Sequence, residues 1–131
     1  MPLADDIRAA LSAAHDAVEK TPFAEAMAAG RMTRPEYAAG LRELAALHAA
    51  LEDALAAGVA RSPELAAVYD PAKMARTPLL DRDLAAFGAG RGDAPPHPVV
   101  ARLADRFRHW AAETPWALVG PLYVTEGSRM G

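Results

Sequence analysis

Four histidines are the side chains of this chain most suited to bind a metal ion or transfer a proton near neutral pH. Glu19 follows His15 by one helical turn, so its carboxylate could orient the imidazole of a metal ligand. The alternative for His15 is an ordinary core or surface histidine. His48 interrupts a series of leucines and is the second candidate; its alternative is a buried histidine bonded to a carbonyl group. His97 and His109 are expected to be solvated.

Other catalytic and metal-binding patterns are absent from the sequence. The chain has no cysteine, which excludes disulfides and zinc-thiolate sites. No two histidines are spaced four apart and no Glu-x-x-His pair faces a second one, so di-iron carboxylate and helix-borne zinc sites are poorly supported. Nucleophile-elbow, phosphate-loop and dinucleotide fingerprints are also missing. Arg91-Gly92-Asp93 matches the integrin-binding tripeptide, which we interpret as a chance match.

Charge and hydropathy argue against two classes of partner. The formal net charge is -3 and acidic and basic residues are interspersed, so no basic surface is available for nucleic acid or an anionic membrane. No stretch approaches the roughly 20 apolar residues that span a bilayer. Asp5 and Asp6 stand where a secretory peptide would carry positive charge. We therefore expect a cytoplasmic protein that binds neither nucleic acid nor membrane.

The composition predicts an all-α fold. Hydrophobic residues make up 52% of the chain but aromatic residues only 6%, and the abundant alanine favours closely packed helices. Strands are not expected, because no run alternates apolar and polar residues over several positions. A length of 131 residues suits one domain with one core. We therefore expect a compact multi-helix bundle.

Local signals predict three helices in the first half of the chain. Apolar residues recur every three or four positions over residues 3–18, which places His15 on or beside the apolar face of a first helix. A second helix is expected over residues 22–29, with Thr21 as its cap. The T-x-x-E spacing of residues 33–36 is a capping box that starts a third helix. The apolar stripe of this helix is predicted to consist of Tyr37, Leu41, Leu44, His48, Leu51 and Leu55.

Proline and glycine mark where the remaining helices begin and end. The third helix is expected to end near Gly58. Ser62 and Thr77 each precede a proline, which predicts two short helices with hydroxyl caps. Residues 88–98 read as a loop, and an amphipathic helix follows over residues 99–113. A last helix is expected from Pro115 onward, kinked and weak because of its glycines and Pro121.

Several segments together resemble the haem oxygenase family of the bacterial type. The opening HDAVEKTPF, GRMTRPEY and ALE segments are similar to the proximal part of that family, and the closing LYVTEGSRMG is similar to its glycine-rich distal helix. The resemblance covers nearly the whole chain. The segments that carry it are residues 15–23, 30–37, 50–52, 69–71, 80–84 and 122–131. It implies a single haem oxygenase-like helical domain over residues 1–131, shortened at the C-terminus.

The resemblance also implies a site. In the family, haem lies between a proximal and a distal helix, so His15 is implied as the ligand of the haem iron, with Glu19 holding the other ring nitrogen. Gly127 and Gly131 would bring the distal backbone against the porphyrin face, beside Ser128. Ser128 stands where many relatives carry an aspartate.

The implied reaction opens haem to biliverdin, carbon monoxide and ferrous iron, using molecular oxygen and electrons from an external reductase. Arg8 and Arg129 are the implied contacts to the haem propionates, although either could be a solvated surface arginine. Members of the family continue beyond the position of Gly131, so apolar surface is expected to be exposed here and to be buried in a homodimer. The alternatives are a non-catalytic haem-binding or sensor protein and a haem-free helical interaction module.

Overall fold

The computed structural model describes residues 2–127 and confirms the all-α prediction, since those residues contain no strand. Seven α-helices and two 3-10 helices are found in this part of the chain. The α-helices are α1 (Pro2–Glu19), α2 (Pro22–Ala28), α3 (Arg34–Arg61), α4 (Pro71–Met74), α5 (Thr77–Ala86), α6 (Pro98–Glu113) and α7 (Val119–Gly127). The 3-10 helices are Pro63–Ala67 and Pro115–Leu118.

The chain divides into two compact units. The first reaches Tyr37 and the second begins at Ala38, so the boundary falls within the first turn of α3. Each unit is described below by itself. That the whole chain forms one domain stays a prediction.

In the first unit, the predicted helix caps are confirmed. The Thr21 hydroxyl accepts a hydrogen bond from the Ala24 amide at 3.2 Å, and α2 starts at the next residue, Pro22. The Glu36 carboxylate accepts the Thr33 amide at 2.8 Å while the Thr33 hydroxyl accepts the Glu36 amide at 3.3 Å, which is the predicted capping box. The Thr33 amide and the Thr33 hydroxyl both donate to the Glu36 carboxylate and lower the pKa of the Glu36 carboxyl. These hydrogen bonds join residues within one helical turn. For this reason the helix starts could be predicted from the sequence.

In the second unit, α3 packs against two groups of buried side chains. Its first half contributes Leu41 and Ala45, which pack on α5 through Leu80 and Leu84. Its second half faces α6 and the segment from Pro115 to the end of α7. The core cluster there consists of Leu51, Ala54, Leu55, Tyr69, Phe107, Ala111, Leu118 and Leu122.

The predicted stripe of α3 was wrong at two positions. Leu44 is 42% exposed and Tyr37 is also exposed. In this half of the helix the covered side is that of Ala45, which is fully buried against α5. The alanine was not singled out because its small side chain gives a weak hydrophobic signal, although it allows two helices to approach closely.

Gly58 does not end α3, which continues to Arg61. It is buried inside the helix, and a Cβ atom added there would lie 3.1 Å from Leu118 Cδ1 and 3.2 Å from Leu65 Cδ1. Both leucines are fully buried. Gly58 therefore allows close packing of these leucines, which would have to shift slightly to admit a Cβ atom, and it does not act as a helix terminator.

Other expected boundaries were only partly right. Ser62 makes no side-chain cap bond, and the segment after it is the 3-10 helix Pro63–Ala67. The short helix α4 was missed; the Asp70 carboxylate caps it by accepting the Ala72 amide at 3.0 Å. The predicted last helix begins as the 3-10 helix Pro115–Leu118 and becomes α-helical at Val119. No helix of residues 2–127 combines the length and hydropathy needed to cross a membrane.

Candidate functional site

His15 lies on α1 in the first unit, with a side chain that is 71% exposed. Its Nδ1 atom is 3.7 Å from Oε1 of Glu19, one turn further along the helix. This distance is longer than a hydrogen bond but short enough for a charge interaction. The structure therefore places the two residues together as the sequence spacing predicts, with Nδ1 as the ring nitrogen that faces the carboxylate. The role of the pair as ligand and orienting group stays a prediction.

His15 lies on α1 between an apolar surface and a charged surface of the helix. With about 100° of rotation per residue, Leu11 and Val18 lie about 40° and 60° to one side of it. Both are exposed, as are Leu3 and Ile7 further round the same face. Glu19 and Arg8 lie about 40° and 20° to the other side. A ligand bound by the imidazole could therefore meet an apolar surface on one side and charged groups on the other.

Arg8 precedes His15 by two turns, or about 10 Å along the helix axis. Its Nη1 atom is 3.2 Å from Oδ1 of Asp5, and the side chain is exposed. An exposed pair of this kind contributes little stability. The Arg8 guanidinium therefore remains accessible to a ligand carboxylate.

His15 also belongs to a small group of candidate metal-binding side chains. The ligand atoms of His15, Asp16 and Glu19 lie within 4.8 Å of one another, and no other such group of three is found among residues 2–127. All three side chains are exposed, and exposed acidic residues are frequently close together without binding an ion. The cluster therefore adds donors near His15 without identifying a metal.

In the second unit, α7 has one buried face and one exposed face. Leu122 is its buried residue, whereas Tyr123 and Val124, about 100° and 160° away from it round the helix, are exposed. Gly120 and Gly127 lie seven residues apart, which places them on nearly the same line along the exposed face. Among the described residues, no heavy atom lies within 4 Å of a Cβ atom added at either glycine. The exposed face of α7 is thus apolar and open to close approach by a flat group.

Some predicted site residues fall beyond this helix segment. Ser128, Arg129 and Gly131 lie outside the described residues, so their predicted roles stay predictions. Gly120 is a further candidate that the sequence analysis did not single out, although its spacing of two turns from Gly127 was visible in the sequence. Pro121 lies in the first turn of α7, where a proline removes little of the hydrogen bonding of a helix.

The second unit also contains a cluster of four titratable side chains. His48 is half-buried on α3, and its charged neighbours are Glu52, Arg76 and Glu126. Arg76 Nη2 is 3.3 Å from Glu126 Oε1, and these side chains are only 18% and 25% exposed. Burial lowers the pKa of His48; Arg76 also lowers it, while the two carboxylates oppose the shift. His48 therefore lies in a charged cluster with Glu52 of its own helix and with residues from two other segments.

Glu52 has a structural role that the sequence did not reveal. The sequence predicted Thr77 as the cap of the next helix and assigned no capping role to Glu52. Instead, the Glu52 carboxylate accepts hydrogen bonds from the Arg76 amide, the Thr77 amide at 3.2 Å and the Thr77 hydroxyl. Thr77 is the first residue of α5, and Arg76, at the cap position, makes no side-chain cap bond. A glutamate from α3 therefore caps α5.

Glu43 does the same for α6. Both of its carboxylate oxygens accept the His97 amide, at 3.1 and 2.9 Å, and the His97 ring nitrogen Nδ1 accepts the Val99 amide. His97 is exposed, as predicted, but it has a defined function as the cap of α6. Two glutamates of α3 thus satisfy the amino ends of two other helices.

The integrin-like tripeptide is held within the second unit. Arg91 makes a bidentate pair with Asp81, with both N–O distances 2.6 Å. This pair lowers the pKa of the Asp81 carboxyl and raises that of Arg91. The arginine of the motif is therefore engaged in a bond to α5, which supports the interpretation of a chance match.

Comparison with known proteins gives one family. A family model described as heme oxygenase matches residues 1–131, a range that includes α1 with His15 and α7 with Gly127. No curated protein matches the chain.

Proposed function

This chain belongs to the haem oxygenase family, and on that premise we propose that it cleaves haem to biliverdin, carbon monoxide and ferrous iron. Molecular oxygen and electrons from an external reductase are the proposed co-reactants. The observation that carries the proposal is the exposed His15 imidazole, which borders an apolar surface and faces the Glu19 carboxylate, in a chain that matches the family over residues 1–131.

His15 fits the role of iron ligand. Its Nδ1 atom faces Glu19, so Nε2 is the nitrogen proposed to bind the iron. A carboxylate beside the other ring nitrogen orients the imidazole and increases its basicity as a ligand. When bound, the haem supplies the iron that activates oxygen and the porphyrin that is oxidised. The tasks of the protein residues are to bind and orient the haem and to control the access of water to it.

Two features of α1 fit the two parts of a haem molecule. Leu11 and Val18 are exposed beside His15 and would cover part of the apolar porphyrin. Arg8 is exposed on the other side of His15 and would bind a propionate through its guanidinium. Since the Arg8 pair with Asp5 is at the surface, exchanging it for a propionate costs little.

The exposed face of α7 is proposed to cover the other side of the haem. Gly120 and Gly127 leave the backbone open to close approach, and Tyr123 and Val124 supply apolar contacts beside it. We propose that Gly131 and Ser128 continue this surface and that Arg129 contacts a propionate. A close-fitting apolar surface limits the access of bulk water to the reacting face.

A haemin titration tests the proposal. The purified protein and the variants His15→Ala, His48→Ala and His109→Ala are titrated with haemin, and the Soret band is followed. We expect a saturable band that is lost or strongly weakened only in His15→Ala; His109 is an exposed control. A reductant is then added in air, and the spectrum of biliverdin should replace the band.

The outcomes separate the alternatives. A saturable band without biliverdin would favour a non-catalytic haem-binding or sensor protein. The absence of any saturable band would contradict the proposal and favour a haem-free helical interaction module. Loss of the band in His48→Ala instead of His15→Ala would assign the ligand to α3.

A further inference from the structure

Arg76 connects two helices that are distant in sequence. Its backbone amide donates a hydrogen bond to the Glu52 carboxylate of α3. Its guanidinium pairs with Glu126 of α7, fifty residues later in the chain. The backbone of Arg76 also occupies the cap position of α5. One residue thus links the start of α5 to the last turn of α7.

The Arg76 pair differs from the ion pairs at the surface. Arg76 and Glu126 are mostly buried, whereas the pairs of Arg8 with Asp5 and of Arg108 with Asp105 are exposed and join residues of a single helix. Two partners held apart in sequence and shielded from water give a more directional contact than mobile surface groups. The pair therefore can determine where a helix lies.

Helix α7 depends on such a contact. It has nine residues, two of which are glycine and one proline, so its intrinsic propensity is poor. Leu122 is its buried residue and lies near its middle. Glu126 belongs to the last turn and directly precedes Gly127. The ion pair thus holds the end of α7 at which the predicted distal glycine lies.

We propose that Arg76 is a positioning residue for haem cleavage: through Glu126 it holds the backbone of Gly127 in place, and Glu52 in turn holds Arg76. This inference rests on the proposed function. The Glu52 carboxylate accepts the Arg76 amide, the Glu126 carboxylate pairs with the Arg76 guanidinium, and half-buried His48 interacts with all three groups. Its backbone is thus fixed by one carboxylate and its guanidinium by the other, and the side chain is only 18% exposed.

The proposal is tested first on the haem-free protein. Hydrogen exchange of the α7 amides is compared in wild type, Arg76→Met, Arg76→Lys and Glu126→Gln, with Arg108→Met as the exposed-pair control. Loss of the buried pair should accelerate exchange in α7 by about tenfold or more. Arg76→Lys keeps the charge and should restore part of the protection, whereas Arg108→Met should leave α7 unchanged. Glu126→Gln is nearly isosteric and weakens the same ion pair, so it tests the proposal even if Arg76→Met does not fold.

The second arm measures the reaction. Because His15 is untouched, Arg76→Met and Glu126→Gln should bind haemin within about threefold of wild type. The rate constant kcat for biliverdin formation should fall about tenfold or more, with little change in KM and with more electrons consumed per biliverdin, since a misplaced distal backbone reduces productive use of oxygen. Arg76→Lys should recover part of kcat.

The two failures are distinguishable. Equal exchange of the α7 amides in wild type and Arg76→Met would overturn the anchoring whatever the activity. Faster exchange with unchanged kcat would overturn the positioning role while leaving the proposed function intact. A wild-type protein that binds no haem or forms no biliverdin would overturn the proposed function, and the positioning role with it.

Discussion

Removal of the Glu52 carboxylate should destabilise the second unit far more than removal of its exposed neighbour Asp53. The carboxylate accepts the amides of Arg76 and Thr77 and the Thr77 hydroxyl. A hydrogen bond contributes about 1 kcal/mol net, and loss of a helix cap costs about 1 kcal/mol. Because Glu52 is only partly buried, water replaces some of the lost bonds. We therefore expect Glu52→Ala to lower the free energy of unfolding by about 2–3 kcal/mol.

Two further variants sharpen this prediction. Glu52→Gln keeps one acceptor oxygen but turns an NH₂ group towards a donor, so it should cost about 1 kcal/mol or slightly more. Asp53→Ala changes the next residue of the same helix, which is exposed, and should cost less than about 0.5 kcal/mol.

Urea unfolding followed by far-ultraviolet circular dichroism measures these differences as midpoint shifts at constant slope. The order Glu52→Ala, Glu52→Gln, Asp53→Ala, from most to least destabilised, is the expected result. Equal midpoints for Glu52→Ala and Asp53→Ala would refute the reasoning, because they would show that solvent satisfies the start of α5 as well as the glutamate does.

Two other predictions concern pH and association. Burial lowers the pKa of His48, so the unfolded chain takes up the proton at a higher pH than the folded protein; stability should be highest above the ordinary value of about 6.5 and decline as the pH falls below it. Glu52, Glu126 and Arg76 are unchanged in His48→Gln, which should flatten this decline between about pH 5 and pH 8, whereas His109→Gln should not; identical profiles of urea midpoint against pH would contradict the assignment. The exposed apolar side chains of α1 and α7 should promote a homodimer, and sedimentation showing a monomer at tens of micromolar would refute it.

Local signals predicted the helix starts of the first unit well. The Thr21 cap and the capping box of Thr33 and Glu36 each close hydrogen bonds between residues three apart, so residue type and spacing contain the necessary information. The closeness of His15 and Glu19 follows in the same way from their spacing on one helix.

Contacts between distant residues were not predictable in this way. Glu43 and Glu52 look like ordinary surface glutamates of α3 in the sequence, and only the folded chain brings them to the amino ends of α6 and α5. Gly58 was interpreted as a helix terminator because glycine is common at helix ends. Its packing role could not be predicted, since Leu65 and Leu118 lie in segments that fold back onto α3. Periodicity reports which side of a helix is apolar but not which neighbour will cover it.

The same distinction between local and distant contacts applies to the candidate site. His15, Glu19 and Arg8 lie within one helix, and their arrangement was predicted from spacing. Their assignment to haem came from the family resemblance, since an exposed histidine beside a carboxylate is common. The haem contacts proposed for these residues stay predictions.

Substitutions in α1 and substitutions in the cluster around Arg76 should have different effects on stability and on haem binding. The proposed haem ligand His15 is largely exposed and no residue of α1 between Pro2 and Glu19 is buried, so removal of the imidazole should abolish haem binding without lowering the urea midpoint. Glu52 touches no proposed ligand contact, so its removal should lower stability and, through Arg76, loosen α7. Substitution of Arg76 should affect both stability and function, because Arg76 belongs to a partly buried cluster and also holds the turn of α7 before Gly127. Function and stability should therefore separate in α1 but remain coupled in the cluster, as expected when a ligand site is held in place by contacts distant in sequence.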